Sequence, residues 1–291
     1  MNKTLHRIYV WTFVVVGLTV TILLAVDGFS YYSTSIENRF FHPSHNSLKP
    51  SGMMGHGLGI IGSLMMILGV ASYMIRKRKP RLVGFGYLKH WLEFHIFLCS
   101  VGPVLILYHT AFKFGGIVSV SFWSMTAVVL SGVIGRFIYI QIPRSIQGNE
   151  LEIEDINTMS TNLTAKLKSE FGINKKFSER LESISFTEQY KNASLGKSII
   201  LIFNVYFQSL LLLRKLYNEI DNMNIAKRKA HRVKGLVKSK IVLQRRIGML
   251  RTMQKFFKYW HIIHLPFAIV MFAIMFIHVI VTIIFGYKWI F

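Results

Sequence analysis

Four histidines inside two apolar stretches are the residues of this sequence whose types and spacing could do chemistry. His95 and His109 lie 14 residues apart in the first stretch, and His264 and His278 lie 14 residues apart in the second. On an α-helix, 14 residues end about 40° short of four full turns and rise about 21 Å, so each pair stays on one helix face. An ionisable side chain inside a membrane span is costly and marks a functional site by default.

The elements that must position these histidines are membrane-spanning helices. The chain has 291 residues, of which 52% are hydrophobic. Five near-uncharged runs have about the 20 residues that cross ~30 Å of hydrocarbon. Because lipid requires backbone polar groups to be satisfied within each segment, we predict an all-α membrane protein whose five transmembrane helices form a bundle. The runs are 8–26, 54–75, 91–112, 117–140 and 260–285.

The distribution of Lys and Arg predicts an orientation with the N-terminus inside and the C-terminus outside. The loop 76–89 holds six basic residues and no acidic residue, and the segment 143–258 holds 22 basic and 10 acidic residues, so both are placed in the cytoplasm. The segment 27–53 is balanced, with two basic and two acidic residues, and is placed outside. The formal charge of +22 therefore reflects sidedness and attraction to anionic lipid. Without a recognition motif, it does not indicate a nucleic-acid partner.

The chain is predicted to have three parts: spans one to four in 1–142, a basic helical cytoplasmic insertion in 143–258, and the fifth span with a short outer tail in 259–291. The apolar segment 198–217 is short for a span and, as a span, would reverse the sidedness of the basic residues after it. We expect a buried or interfacial amphipathic helix there. The basic pattern of 227–258 indicates a helix that lies along the membrane surface or leads into the fifth span.

The sidedness of the spans sets the pairing of the histidines. The third and fifth spans both run outward, so His95 is level with His264 near the cytoplasmic side and His109 is level with His278 near the outer side. A lone histidine in a span is often a packed, hydrogen-bonded residue, but two matched pairs are harder to obtain by chance. This arrangement suits two bis-histidine b haems, one above the other. Gly102, midway on the same face, would leave room between the ligand levels.

Three stretches carry a resemblance to a known family: "WLEFHIFLCSVGPVLILYHTAFKFGG", "SGVIGRFIYIQIPR" and "YWHIIHLPFAIVMFAIMFIHV". They are similar to bacterial cytochrome b-like membrane subunits. The paired histidines resemble the di-haem core of cytochrome b, and their place on the third and fifth spans resembles the ferric-reductase and NADPH-oxidase transmembrane domain. The resemblance covers the spans and not the insertion, and implies a multi-pass protein of the bacterial cytoplasmic membrane.

The sequence departs from the ferric reductases, which usually continue into FAD- and NADPH-binding domains. It ends six residues after the last span, and no G-x-G-x-x-G follows a strand. The chemistry of the electron donor or acceptor is therefore expected on other subunits, such as a multihaem cytochrome c or an iron–sulfur or flavin protein. The insertion is expected to dock such a partner or to hold two copies of the chain together, with resting on anionic lipid as the alternative.

Charged residues near the span ends are further candidates for holding the cofactor. Arg136, near the inner end of the fourth span, is a candidate partner of a haem propionate. Lys113 is a candidate for the same role at the outer haem, or a snorkelling residue at the span end. His261 forms an H-x-x-H spacing with His264 and is a candidate for hydrogen bonding a propionate or facing the interface.

Three remaining residues take more modest interpretations. His56, near the outer end of the second span, is either a quinone, proton or extra-ligand site or a polar residue in a glycine-rich packing face. Glu93 is given no catalytic role, and Cys99, the single cysteine, is a small packing residue that excludes a disulfide within the chain.

Three functions follow as hypotheses. The first is a di-haem subunit of a respiratory oxidoreductase, which carries electrons across the bilayer between a quinone or cytoplasmic donor and a partner redox protein. The second is a self-contained quinol-oxidising or ferric-reductase-like enzyme. The third is a histidine-lined metal transporter, which would need carboxylates near the histidines, where Glu93 is nearly the only one.

Overall fold

The computed structural model describes residues 3–79, 87–143, 153–171, 175–190, 195–223 and 226–285, and the regular structure in these residues is helical. The predicted all-α class is confirmed for this part of the chain. Parts of the basic loop 76–89, the start of the insertion and the outer tail lie outside it. The helices are α1 (Lys3–Asp27), α2 (Phe29–Ser33), a 3-10 turn (Asn38–Phe41), α3 (His45–Leu48), α4 (Met53–Arg78), α5 (Leu88–His109), α6 (Val118–Gln141), α7 (Ile153–Phe171), α8 (Lys175–Ser183), α9 (Thr187–Tyr190), α10 (Leu195–Asn222) and α11 (Lys227–Ile284).

Within the residues that the structure describes, six helical segments are long and apolar enough to cross a membrane, which indicates a multi-pass helical membrane protein. Five of them contain the runs predicted from sequence, apart from a few residues at the run ends. The sixth, Gly196–Asn222, is the helix α10 that the sequence analysis assigned to the insertion. The others are Thr4–Asp27, His45–Arg78, Leu88–His109, Val118–Gln141 and Lys227–Ile284.

The structure corrects one predicted helix end and decides between two predicted alternatives for the basic segment. The third run was expected to extend to residue 112, but α5 ends at His109 because Ala111 and Phe112 adopt positive φ angles of 49° and 60°, which the right-handed helix excludes. The basic segment 227–258 continues into the fifth run as one helix of 58 residues, α11. Of the two predicted alternatives, the segment therefore leads into the span.

The chain divides into two compact units, and the first comprises Met1–Val133 and Ile262–Phe291. Within it, α4 and α5 pack antiparallel at a distance that only glycines permit. A Cβ atom on Gly62 would lie 2.8 Å from the carbonyl oxygen of Gly102, and one on Gly102 would lie 2.9 Å from the carbonyl oxygen of Gly62. Both contacts are shorter than ordinary van der Waals separation, so α4 and α5 meet backbone to backbone at this point.

A buried arginine connects the segment around α2 to the end of α5. Arg39 is 5% exposed, and its guanidinium donates hydrogen bonds to the carbonyl oxygens of Tyr32 at 2.8 Å, Thr34 at 2.9 Å and Ala111. Tyr32 donates its hydroxyl to the carbonyl oxygen of Tyr108 at 3.3 Å, and burial raises its pKa to about 12. These bonds fix the chain directly after α5.

The second unit, Ile134–His261, is built on α10 and the first half of α11. One core packs Leu213, Leu216 and Ile220 of α10 against Val233, Val237 and Ile241 of α11, and a second core contains Val205 of α10 with Ile247, Leu250 and Met253 of α11. The opposite face of α10 stays exposed although it is apolar. Its side chains are Ile199, Ile200, Phe203, Tyr206, Phe207, Leu210 and Leu211.

Candidate functional site

The ring of His95 is fixed by the backbone of the neighbouring helix α4. Its Nδ1 lies 3.0 Å from the carbonyl oxygen of Gly69, and the ring centroid lies 5.5 Å from that of Tyr73, with 34° between the ring planes. Cys99, one turn further along α5, places its Sγ 3.6 Å from the same Nδ1. A Cβ atom on Gly69 would lie 3.0 Å from that Sγ, so the glycine leaves space for the Cys99 side chain.

His109 is held in the same way at the other end of α5. Its Nδ1 lies 2.8 Å from the carbonyl oxygen of Gly55. Gly59, one turn along α4, lies under the imidazole, and a Cβ atom there would be 2.7 Å from Nδ1 and 2.9 Å from Cγ and Cε1. The ring therefore rests against bare helix backbone.

The two carbonyl acceptors have the same spacing as the two histidines. Gly55 and Gly69 are 14 residues apart on α4, as His109 and His95 are on the antiparallel α5. A carbonyl oxygen can only accept, so Nδ1 carries the proton in both neutral rings. The lone pair then lies on Nε2, the nitrogen that would bind a metal, and such a bond from the other nitrogen is the usual support of a metal-binding histidine.

His109 of α5 and His278 of α11 lie close together. The ring centroids of His109 and His278 are 6.5 Å apart, with 58° between the ring planes. Two imidazoles that bind one metal from opposite sides, with bonds of about 2.0–2.1 Å, have centroids about 6.3 Å apart. The observed separation therefore fits a bis-histidine centre at this level. His56, at the start of α4, is close enough to interact electrostatically with both rings.

His264 has a side-chain partner that the sequence analysis did not identify. Ser131 of α6 places its Oγ 2.7 Å from Nδ1 of His264 and donates its own proton to the carbonyl oxygen of Val128 at 2.9 Å. A hydroxyl that donates to Val128 can accept from Nδ1 of His264, and in that arrangement the lone pair of the imidazole lies on Nε2. The predicted pairing of His264 with His95 stays a prediction.

The other candidates in the first unit lie at different places. Gly102 faces α4, where a Cβ atom would also lie 2.9 Å from Cγ of Met66. A small residue is thus required there for helix packing, and the predicted role between two haems stays a prediction. Lys113 is exposed after the end of α5, and its backbone N–H donates to the carbonyl oxygen of Thr110.

Two candidates belong to the second unit. The guanidinium carbon of Arg136 lies 5.7 Å from the ring centroid of Tyr139, a cation–π contact. His261 donates its Nδ1–H to the carbonyl oxygen of Phe257 at 3.0 Å, and its ring packs on Trp260 at 4.6 Å, centroid to centroid. The predicted hydrogen bonds of these residues to propionates stay predictions.

The structure also groups residues that the sequence analysis did not connect. The side chain of Glu93 is buried, with 9% of its surface exposed, and it contacts His90 of α5 and His6 of α1. The sequence signal for this group was an acidic residue at the start of a span. Its partner His6 lies on α1, which is remote in sequence, so the sequence alone did not reveal the contact.

The donor set of the first unit fits a b haem in its chemistry. Histidine imidazoles with a hydrogen-bonded Nδ1 are suitable axial ligands for haem iron, and their packing among apolar side chains would exclude water. His95, His109, His264 and His278 are the residues that would hold it. No protein family, curated protein or solved structure matches the chain.

Proposed function

We propose that the chain is a membrane-bound di-haem b-type cytochrome that carries electrons across the bilayer to or from a partner redox protein. The inner haem would be held by His95 and His264, and the outer haem by His109 and His278. The observation that carries the proposal is the matched hydrogen bonding of His95 and His109, whose Nδ1 atoms lie 3.0 Å and 2.8 Å from glycine carbonyls with the same 14-residue spacing.

The residues of the chain perform three tasks in this function. The carbonyls of Gly55 and Gly69 orient the imidazoles and hold the proton on Nδ1. Ser131 does the same for His264. Apolar side chains around the rings keep the site dry, and a b haem supplies one-electron chemistry when bound there. Electron donor and acceptor groups would come from a quinone and from other subunits.

The topology of the proposal has five spans with the N-terminus inside, and the packing of α10 supports it. This helix packs along residues 233–253 of α11, and the segment 227–258 contains twelve Lys and Arg and no acidic residue. If α10 crossed the hydrocarbon, many of these cations would enter it as well, at about 2.5–3.5 kcal/mol each on insertion scales. This cost favours α10 as part of the insertion, with the apolar segment of α11 from residue 260 as the proposed fifth span.

The test is the haem content of the purified full-length protein with a reduced-minus-oxidised spectrum. We expect about two b haems per chain. His95→Ala and His264→Ala should each remove the same centre, and His109→Ala and His278→Ala the other one. The matched control is His231→Ala, which replaces an exposed histidine of α11 and should leave both centres intact.

Two outcomes would contradict the proposal. If the purified protein is colourless and binds only zinc or manganese, the di-haem proposal is wrong and the metal-transport hypothesis takes its place. If His95→Ala and His278→Ala removed one and the same centre, the pairing of the helices would be wrong while the haem assignment would stand.

A further inference from the structure

The contact between α1 and the first turn of α5 contains a second group of metal-binding side chains. His6 lies on α1, and His90 and Glu93 lie three residues apart on α5, with one ligand atom from each residue within 4.8 Å of the others. We propose that His6, His90 and Glu93 bind a divalent transition-metal ion such as Zn²⁺, separately from the four span histidines.

The distances in this group fit metal ligands better than hydrogen bonds. Nε2 of His6 lies 3.5 Å from Oε1 of Glu93, and Nδ1 of His90 lies 3.3 Å from Oε2. Charge-assisted hydrogen bonds between such groups are about 2.7–2.9 Å long. Ligands at about 2.0–2.2 Å from one tetrahedral ion are about 3.3–3.6 Å apart, so each histidine lies at such a separation from one of the two carboxylate oxygens.

The burial of Glu93 gives a second indication of a bound cation. Its side chain is only 9% exposed, and it contacts both histidines of the group. A buried carboxylate calls for a positive partner.

A cation already stands at this place in the structure. The ammonium of Lys89 lies 3.1 Å from Nε2 of His6 and 3.9 Å from Oε1 of Glu93. The Lys89 side chain is 54% exposed, so it can turn into solvent at little energetic cost. A divalent ion would take its position, with two histidines and one carboxylate as protein ligands and an open position for water. The ion would then clamp α1 to α5.

The experiment measures zinc retention by the purified full-length protein. After treatment with a chelator, the protein is dialysed against micromolar Zn²⁺, and zinc per chain is measured by mass spectrometry over a range of free Zn²⁺. We expect one zinc per chain in the unaltered protein. Loss of a supporting outer-shell residue costs about 10–100-fold in metal affinity, so Glu93→Gln and His90→Ala, which remove ligands, should weaken zinc binding by roughly 100-fold or more.

Three controls separate this site from the others. Lys89→Met should bind zinc equally or more tightly, because it removes only the competing cation. His109→Ala and His231→Ala should retain zinc, since neither residue belongs to the group. If Glu93→Gln does not accumulate, His6→Ala on α1 provides the same test.

The proposal fails if the unaltered protein retains no zinc or if Glu93→Gln retains as much as the unaltered protein. In either case the group is a hydrogen-bonded cluster only. Loss of zinc in His109→Ala would instead assign the ion to the span histidines. None of these outcomes depends on whether the protein contains haem.

Discussion

The glycine under His109 allows a sharp test of how the outer histidine is held. In Gly59→Ala, the new Cβ atom would lie 2.7 Å from Nδ1 of His109. Optimal contacts between such atoms are about 3.5–4.0 Å, so the imidazole must move by about 0.8 Å or more. If the ring moves directly away from α4, the distance from its Nδ1 to the carbonyl oxygen of Gly55, now 2.8 Å, increases beyond the ~3.2 Å limit of a good N–H···O bond.

The size of the effect follows from the role of that hydrogen bond. Removing a supporting partner of a metal-binding histidine costs about 10–100-fold in affinity, which is about 1.4–2.8 kcal/mol. The substitution itself favours a helix by roughly 0.5–1 kcal/mol, so a general loss of stability is not expected. We therefore expect Gly59→Ala to lose the outer haem preferentially while the inner haem stays.

The assay is haem per chain together with a redox titration that resolves the two centres. Combining Gly59→Ala with His95→Ala isolates the outer centre, and this double variant should be nearly haem-free. The matched control is Gly132→Ala in α6, where the added methyl group would meet open space. It should retain both haems.

A third glycine variant separates ring displacement from helix separation. In Gly62→Ala, the new methyl group would lie 2.8 Å from the carbonyl oxygen of Gly102, midway between the two histidines. It should push α4 and α5 apart and weaken both centres to a similar extent. Equal loss of both haems in Gly59→Ala, or full retention of both, would refute the role assigned to Gly59.

Three further predictions follow from other parts of the structure. Arg39→Leu should lower the free energy of unfolding by at least about 2 kcal/mol, because one buried and two partly buried carbonyls lose a charged donor worth about 1.5–3 kcal/mol per bond. Thermal unfolding in detergent measures this, and an unchanged midpoint would contradict it. Tyr32 has a pKa raised from 10.0 to about 12, so the folded state keeps a phenol proton that the unfolded chain loses between about pH 10 and 12. The free energy of unfolding should therefore fall as pH rises through that range. Tyr32→Phe should reduce this fall, and a variant with the same pH profile as the unaltered protein would count against the buried phenol. The topology is tested by single cysteines placed in a chain without its native cysteine. Ser239→Cys should react with a membrane-impermeant reagent only from the cytoplasmic side, and Lys113→Cys only from the outside. Labelling of both from the outside would show that α10 crosses the membrane.

The sequence predicted the helices and the shared face of each histidine pair because both depend on local periodicity. It did not predict the acceptors of Nδ1, since nothing in one sequence states which helix lies beside α5. Ser131 was missed for this reason, and the glycines around His56, which include Gly55, were interpreted only as a packing face. The early end of α5 was missed because Ala111 gives no residue-type signal for a positive φ angle. Glu93 was left without a role because its partner on α1 is distant in the chain.

The helix α4 carries none of the four proposed haem ligands, and yet it determines the state of two of them. The carbonyl acceptors, the glycine under His109 and the backbone contact at Gly62 all lie on one stripe of this helix. A slip of one turn, about 5.4 Å, would place the side chain of Leu58 or Met66 opposite Gly102 instead of Gly62, where the two backbones leave no room for it. The close contact at Gly62 therefore also decides which carbonyls of α4 lie beside the two imidazoles. It follows that substitutions on α4 alone should change the affinity of the chain for the proposed haems.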